Sequence, residues 1–141
     1  MFFIRKRRRK RASSVTAHYL KHRQEAQQMI LSRVSYWNQF YGYAYNRVVI
    51  RNQKRCWGSC TSLKNLNFSY KILFLPDNLR DYIIVHELCH LQELNHGKEF
   101  WNLVEQCIPA YRESIKHLKN IERNGLSVQK LEYLRKDTAV K

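Results

Sequence analysis

The segment from Tyr82 to His90 (YIIVHELCH) most constrains the fold, because it places two histidines and a glutamate in an otherwise apolar stretch. The H-E-x-x-H spacing separates His86 from His90 by four residues, so on an α-helix both imidazoles lie on one face. Two histidines placed in this way can bind a single zinc ion. Burying such polar side chains without a partner would cost free energy. We therefore predict a buried helix that carries a metal site.

Glu87 stands directly after the first histidine of this motif. From that position its carboxylate can reach a metal-bound water but not the metal itself. Zinc lowers the pKa of such a water, and the carboxylate can take the water's proton as the water attacks a carbonyl. The motif thus predicts a zinc-dependent hydrolase with Glu87 as the general base.

A third protein ligand would complete an open zinc site and leave the fourth position for water. His96 is the best candidate, because a turn at Asn95 can fold it back towards the metal after the helix has ended. Glu93 and Glu99 are the alternatives, since some zinc sites use two histidines and one glutamate. We rank Glu93 lower because it would leave the helix on the wrong side of His90.

Hydrophobic periodicity predicts an α+β fold of one domain over residues 13–123, preceded by a disordered leader at 1–12 and followed by a tail at 124–141. Gly42 is a plausible residue to end the first helix. The predicted elements are a long helix over 14–41, a strand over 45–51, a loop over 52–65, a strand over 66–70 that continues as a second strand over 71–75, and helices over 76–94, 98–107 and 109–123.

The net charge of +15 is concentrated near the start of the chain, since residues 1–55 hold fourteen Lys or Arg and one acid, Glu25. We expect this basic region to contact nucleic acid or another polyanion, without sequence specificity, or to keep the protein soluble. No stretch of about 18 apolar residues predicts a membrane span, and no signal peptide is recognisable. The sequence indicates a cytoplasmic protein with reduced cysteines.

The region from Arg51 to Val104 resembles the YgjP-like family of zinc metallopeptidases, which belongs to the zincin group with the SprT-like and WLM-type proteases. The resemblance implies a zincin-like fold with a long N-terminal helix, a small sheet, an active-site helix and C-terminal helices. It also implies a peptidase that acts on peptides or proteins through zinc, with Glu87 as the base and three metal ligands. The ligands are His86, His90 and His96. The residues that carry the resemblance are Trp57-Gly58-Ser59-Cys60, Leu75-Pro76, His86-Glu87-Leu88-Cys89-His90, Asn95-His96 and Phe100-Trp101.

Two other functions stay open from the sequence. The same metal site in a basic protein could hydrolyse a nucleotide or another phosphoester. Alternatively, the protein could be a nucleic-acid-binding module whose zinc is structural and closed by a fourth ligand such as Cys56 or Cys60. We favour two ordinary loop cysteines, because no second pair stands at finger-like spacing. Candidates for the group that stabilises the oxyanion, chosen by residue type alone, are Tyr70, Tyr111 and Lys98.

Overall fold

The long N-terminal helix, α1 (Ser14–Tyr41), forms as predicted. The structure is a computed structural model that describes residues 14–53 and 56–124, so the predicted leader and all but the first residue of the predicted tail lie outside the described residues. Ala26, Ile30 and Val34 are fully buried, and their spacing of four residues lines the inner face of the helix. The helix ends at Tyr41, directly before Gly42, whose φ of 68° lies in the left-handed region that glycine adopts without strain.

Three short strands form one sheet: β1 (Arg47–Arg51), β2 (Gly58–Cys60) and β3 (Asn65–Ser69). The strand order is β1-β3-β2, with β3 parallel to β1 and antiparallel to β2. The predicted strands over 45–51 and 66–70 are thus confirmed with slightly shifted bounds. The loop predicted over 52–65 is wrong at β2, whose small residues have no strand signal of their own and depend on pairing with β3.

The second strand predicted over 71–75 is wrong, because the chain forms a 3₁₀ turn over Tyr70–Phe74 instead. Every residue of this turn is buried, and an uninterrupted apolar run does not distinguish a buried strand from a buried turn. The Ser69 hydroxyl fixes the turn by accepting a hydrogen bond from the backbone N–H of Lys71.

The remaining elements are three helices: α2 (Asp77–Cys89), α3 (Lys98–Cys107) and α4 (Tyr111–Arg123). Helix α2 packs against α1, α3, α4 and β2, so its residues lie at the centre of the fold. The largest fully buried side chains come from α1, β3, the 3₁₀ turn and the residue after it, α2 and α3: Ile30, Leu66, Phe68, Tyr70, Ile72, Leu73, Phe74, Leu75, Leu79, Ile84, Leu88 and Phe100.

Polar side chains fix α1 against the other helices. Arg33 donates two hydrogen bonds of 2.9 Å to the carboxylate of Asp81 on α2, a bidentate geometry that holds both groups in one orientation. The Tyr41 hydroxyl donates to the backbone oxygen of Leu103 on α3 at 2.6 Å. In residues 14–53 and 56–124, none of the helices combines the length and the apolar character that crossing a membrane requires.

Candidate metal centre

The chain turns sharply after α2, and this turn decides where the third histidine lies. The helix was predicted to continue to about residue 94, but it ends at Cys89. Its last carbonyls are closed by hydrogen bonds from Leu91 to Leu88, 3.0 Å, and from Glu93 to Cys89, 2.9 Å. Hydrogen bonds of this kind commonly satisfy the carbonyls at a helix end that have no partner within the helix. The chain can then return along the helix before α3 begins at Lys98.

The turn brings the three predicted ligands together. The Nε2 atoms of His86 and His90 lie 3.1 Å apart, those of His90 and His96 lie 3.0 Å apart, and those of His96 and His86 lie 3.1 Å apart. Nitrogen ligands at about 2.0–2.1 Å from a tetrahedral zinc would be separated by roughly 3.3 Å. The three nitrogens are therefore placed to share one ion.

The hydrogen bond of His90 fixes which of its nitrogens can bind a metal. His90 Nδ1 lies 2.9 Å from the backbone oxygen of Glu93. Because a carbonyl oxygen only accepts, Nδ1 must carry the proton, and in the neutral ring Nε2 then has a free lone pair. This lone pair faces the other two histidines, which is the tautomer that metal binding requires.

Burial also favours the neutral form of His86 and His90. It lowers the pKa of His86 to about 3, with smaller contributions from the neighbouring His90 and His96. The pKa of His90 is lowered as well, chiefly by burial. A neutral imidazole is the form that binds metal ions, so the donor set fits a divalent cation.

No further ligand joins the three histidines among the described residues. Glu93 holds His90 through its backbone oxygen, and Glu99 is exposed in the first turn of α3. Cys60 lies on β2, and Cys56 is exposed with its thiol directed to Gln53 at 3.3 Å. Such a three-histidine cluster leaves a position open for water or substrate, as in catalytic zinc sites.

Glu87 lies on α2 beside the cluster and is only 6% exposed. Burial raises the pKa of its carboxyl to about 8, an effect that a nearby bound cation would oppose. Strand β2 approaches this side chain closely at Gly58, where a Cβ would lie 3.1 Å from Glu87 Cγ and 3.1 Å from the backbone oxygen of Asn67. Any larger residue at position 58 would therefore force the carboxylate or the sheet to move.

A cleft of about 280 Å³ opens beside His86 and Glu87. One wall comes from α4 and the other from the segment that leads into β2. The indole N–H of Trp57 donates to Glu122 at 3.0 Å and joins these walls. The cleft is lined by Cys56, Trp57, Gly58, Tyr82, Ile83, His86, Glu87, Ile115, Leu118, Lys119 and Glu122.

Aromatic rings pack against the three histidines, and the sequence did not reveal this. The ring of Phe100 stacks on that of His90, with centroids 4.4 Å apart, and also contacts the rings of the other two histidines. The ring of Trp101 stacks on those of His96 and Tyr111, with centroid distances of 6.0 Å and 5.0 Å respectively. The only signal was that Phe100 and Trp101 follow His96 closely in the chain.

The residues considered for oxyanion stabilisation lie in three different surroundings. Tyr70 is fully buried, with its hydroxyl 3.1 Å from His18 Nδ1 on α1, so it does not line the cleft. Tyr111 is buried against Trp101, and Lys98 is exposed at the start of α3.

Comparisons with known proteins agree with this architecture. A model of the YgjP-like metallopeptidase domain matches residues 4–121. The chain is similar to the metallopeptidase zymogen of Pyrococcus abyssi abylysin, with 23% identity, a TM-score of 0.59 and coverage of 64% of this chain and 92% of that one. It is also similar to the metallopeptidase zymogen of Methanocaldococcus jannaschii jannalysin, with 23% identity, a TM-score of 0.54 and coverage of 67% and 95%.

At 23% identity, the similarity to these two solved structures shows that the chain shares their fold. No curated protein matches the chain significantly. Because the family model spans most of the sequence and predicts the activity that the histidine motif indicated, the chain belongs to the YgjP-like family of metallopeptidase domains.

Proposed function

We propose that the protein is a zinc-dependent peptidase in which His86, His90 and His96 hold the metal and Glu87 is the general base. The observation that carries this proposal is the convergence of three Nε2 atoms within 3.1 Å of one another, next to a buried carboxylate. Bound zinc would polarise the carbonyl of the scissile peptide bond and favour attack by water at neutral pH.

The protein's own residues supply the remaining chemistry. Glu87 takes a proton from the attacking water and then delivers it to the leaving amine. Its burial limits competition from bulk water, and the close approach of Gly58 limits where the carboxylate can move. The hydrogen bond from His90 to Glu93 keeps one metal-binding nitrogen deprotonated throughout.

The cleft supports a peptide substrate better than a nucleotide. The apolar side chains of Ile83, Ile115 and Leu118 line it and can bind an apolar side chain of a peptide. Its charged residues are two carboxylates, from Glu87 and Glu122, and one cation, Lys119. A triphosphate would face both carboxylates at close range, which is unfavourable.

We also propose that residues 13–123 act as one catalytic domain. The central position of α2, which packs against three helices and the sheet, supports this proposal. The predicted contact of the basic N-terminal region with nucleic acid or another polyanion stays a prediction, and residues 1–13 of that region lie outside the described part of the chain.

Incubation with unfolded casein tests the proposed function. The zinc-loaded protein should cleave casein, a chelator should abolish cleavage, and added zinc should restore it. The His117→Ala variant is a matched control, because His117 is exposed on α4 and does not line the cleft. This variant should cleave casein at the wild-type rate.

Nucleoside triphosphates, supplied to the same preparations, test the alternative that the site hydrolyses nucleotides. Hydrolysis of triphosphates without cleavage of casein would overturn the peptidase assignment while retaining the metal site. Zinc binding without hydrolysis of either substrate would favour a binding module in place of an enzyme.

A further inference from the structure

Tyr82 lies one helical turn before His86 on α2 and is buried, with 5% of its surface exposed. Its hydroxyl lies 3.1 Å from His86 Nδ1, and the two rings meet edge to face with centroids 5.7 Å apart. The hydroxyl therefore approaches the imidazole at one nitrogen, while the other nitrogen, Nε2, faces His90 and His96.

This arrangement gives Nδ1 of His86 a partner in the tautomer that binds metal. Neutral imidazole carries one proton, and Nε2 can bind a metal only when that proton is on Nδ1. Nδ1–H then donates to the hydroxyl oxygen of Tyr82, which can accept it. His90 is held in the same tautomer by the backbone oxygen of Glu93, so two of the three histidines have a partner on Nδ1.

We propose that Tyr82 is a positioning residue that orients His86, accepts a hydrogen bond from its Nδ1–H when Nε2 binds zinc, and thereby raises the affinity of the three-histidine site for zinc. The inference rests on the proposed metal site. Tyr82 acts through His86, because its hydroxyl contacts the imidazole at Nδ1 and the three Nε2 atoms converge elsewhere. Partners of this kind commonly contribute about ten- to hundredfold to metal affinity.

The Tyr82→Phe variant removes the hydroxyl and retains the buried ring. Zinc affinity, measured by competition with a chromogenic chelator, should fall about ten- to hundredfold. Tyr19→Phe is the matched control, because the Tyr19 hydroxyl also forms a hydrogen bond, donating to the backbone oxygen of Ile50 on β1 at 3.3 Å, and Tyr19 does not line the cleft. This control should bind zinc with wild-type affinity.

The Nδ1–H proton of His86 provides a second readout that loss of packing alone would not change. In proton NMR of the zinc-loaded protein, its resonance should be displaced downfield by the hydrogen bond to Tyr82 in the wild type, and should move upfield in Tyr82→Phe. Thermal unfolding of the metal-free variants checks that Tyr82→Phe is folded.

The outcomes separate this inference from the proposed function. Equal zinc affinity and an unchanged Nδ1–H resonance in a folded Tyr82→Phe would overturn the positioning role while leaving the metal site intact. If wild type and Tyr19→Phe both bind no zinc, the proposed metal site is wrong, and the role of Tyr82 is wrong with it.

Discussion

The Glu87→Gln variant should bind zinc as the wild type does and cleave casein about 10²- to 10⁴-fold more slowly. Glutamine keeps the shape of the side chain beside Gly58 but cannot take a proton from water. It also leaves all three imidazoles in place, since Glu87 is not part of the histidine cluster. The measurement is the initial rate of casein cleavage, together with the metal content of the same samples.

Glu99→Gln is the matched control for this variant. Glu99 is an exposed acid near His96 in the chain and was an alternative ligand from the sequence. Its substitution should leave both zinc content and cleavage rate within about twofold of the wild type, as surface substitutions usually do. Full activity in Glu87→Gln would exclude Glu87 as the general base. Loss of zinc in Glu99→Gln would mean that the third ligand has been misassigned.

The second large effect is expected at Phe100. Its side chain is fully buried and contacts all three histidine rings, so Phe100→Ala should lower the free energy of unfolding by about 3–5 kcal/mol. That loss is a large part of the stability of an ordinary domain, about 5–15 kcal/mol. Urea unfolding of the metal-free protein measures it.

A milder variant separates packing from metal binding. Phe100→Leu should remain folded. Its affinity for zinc should nevertheless fall about tenfold, because it lacks the ring that stacks on His90. Val104→Ala, one turn later on α3, also creates a cavity at a fully buried position. It should lower stability by about 1–3 kcal/mol without changing zinc affinity. Unchanged zinc affinity in Phe100→Leu would contradict the proposed support of the histidines by this ring.

The sequence predicted those parts of the site that depend on local geometry. His86 and His90 share a helix face because residues four apart always do, and the turn residue Asn95 pointed to His96. The structure places the three side chains together. The long helix α1 was equally clear, because its apolar spacing persists over 28 residues and Gly42 marks its end.

Features that depend on contacts between distant segments escaped prediction. Strand β2 contains only Gly58, Ser59 and Cys60 and exists because β3 pairs with it. The approach of Gly58 to Glu87 joins residues 29 positions apart, and no local pattern encodes it. At the early end of α2, the His90 side chain also forms a hydrogen bond with the backbone oxygen of Glu93, which apolar spacing does not predict. Periodicity reports the face that is buried, and it carries no information on such partners.

The metal content of the purified protein tests the three-histidine site, with wild type, His96→Ala and Glu87→Gln compared after zinc loading and removal of free metal. We expect about one zinc per chain in wild type and Glu87→Gln, and little or none in His96→Ala, which lacks one of three ligands. Zinc retained in full by His96→Ala would contradict the three-histidine site. So would a wild-type protein that binds no metal after refolding with zinc.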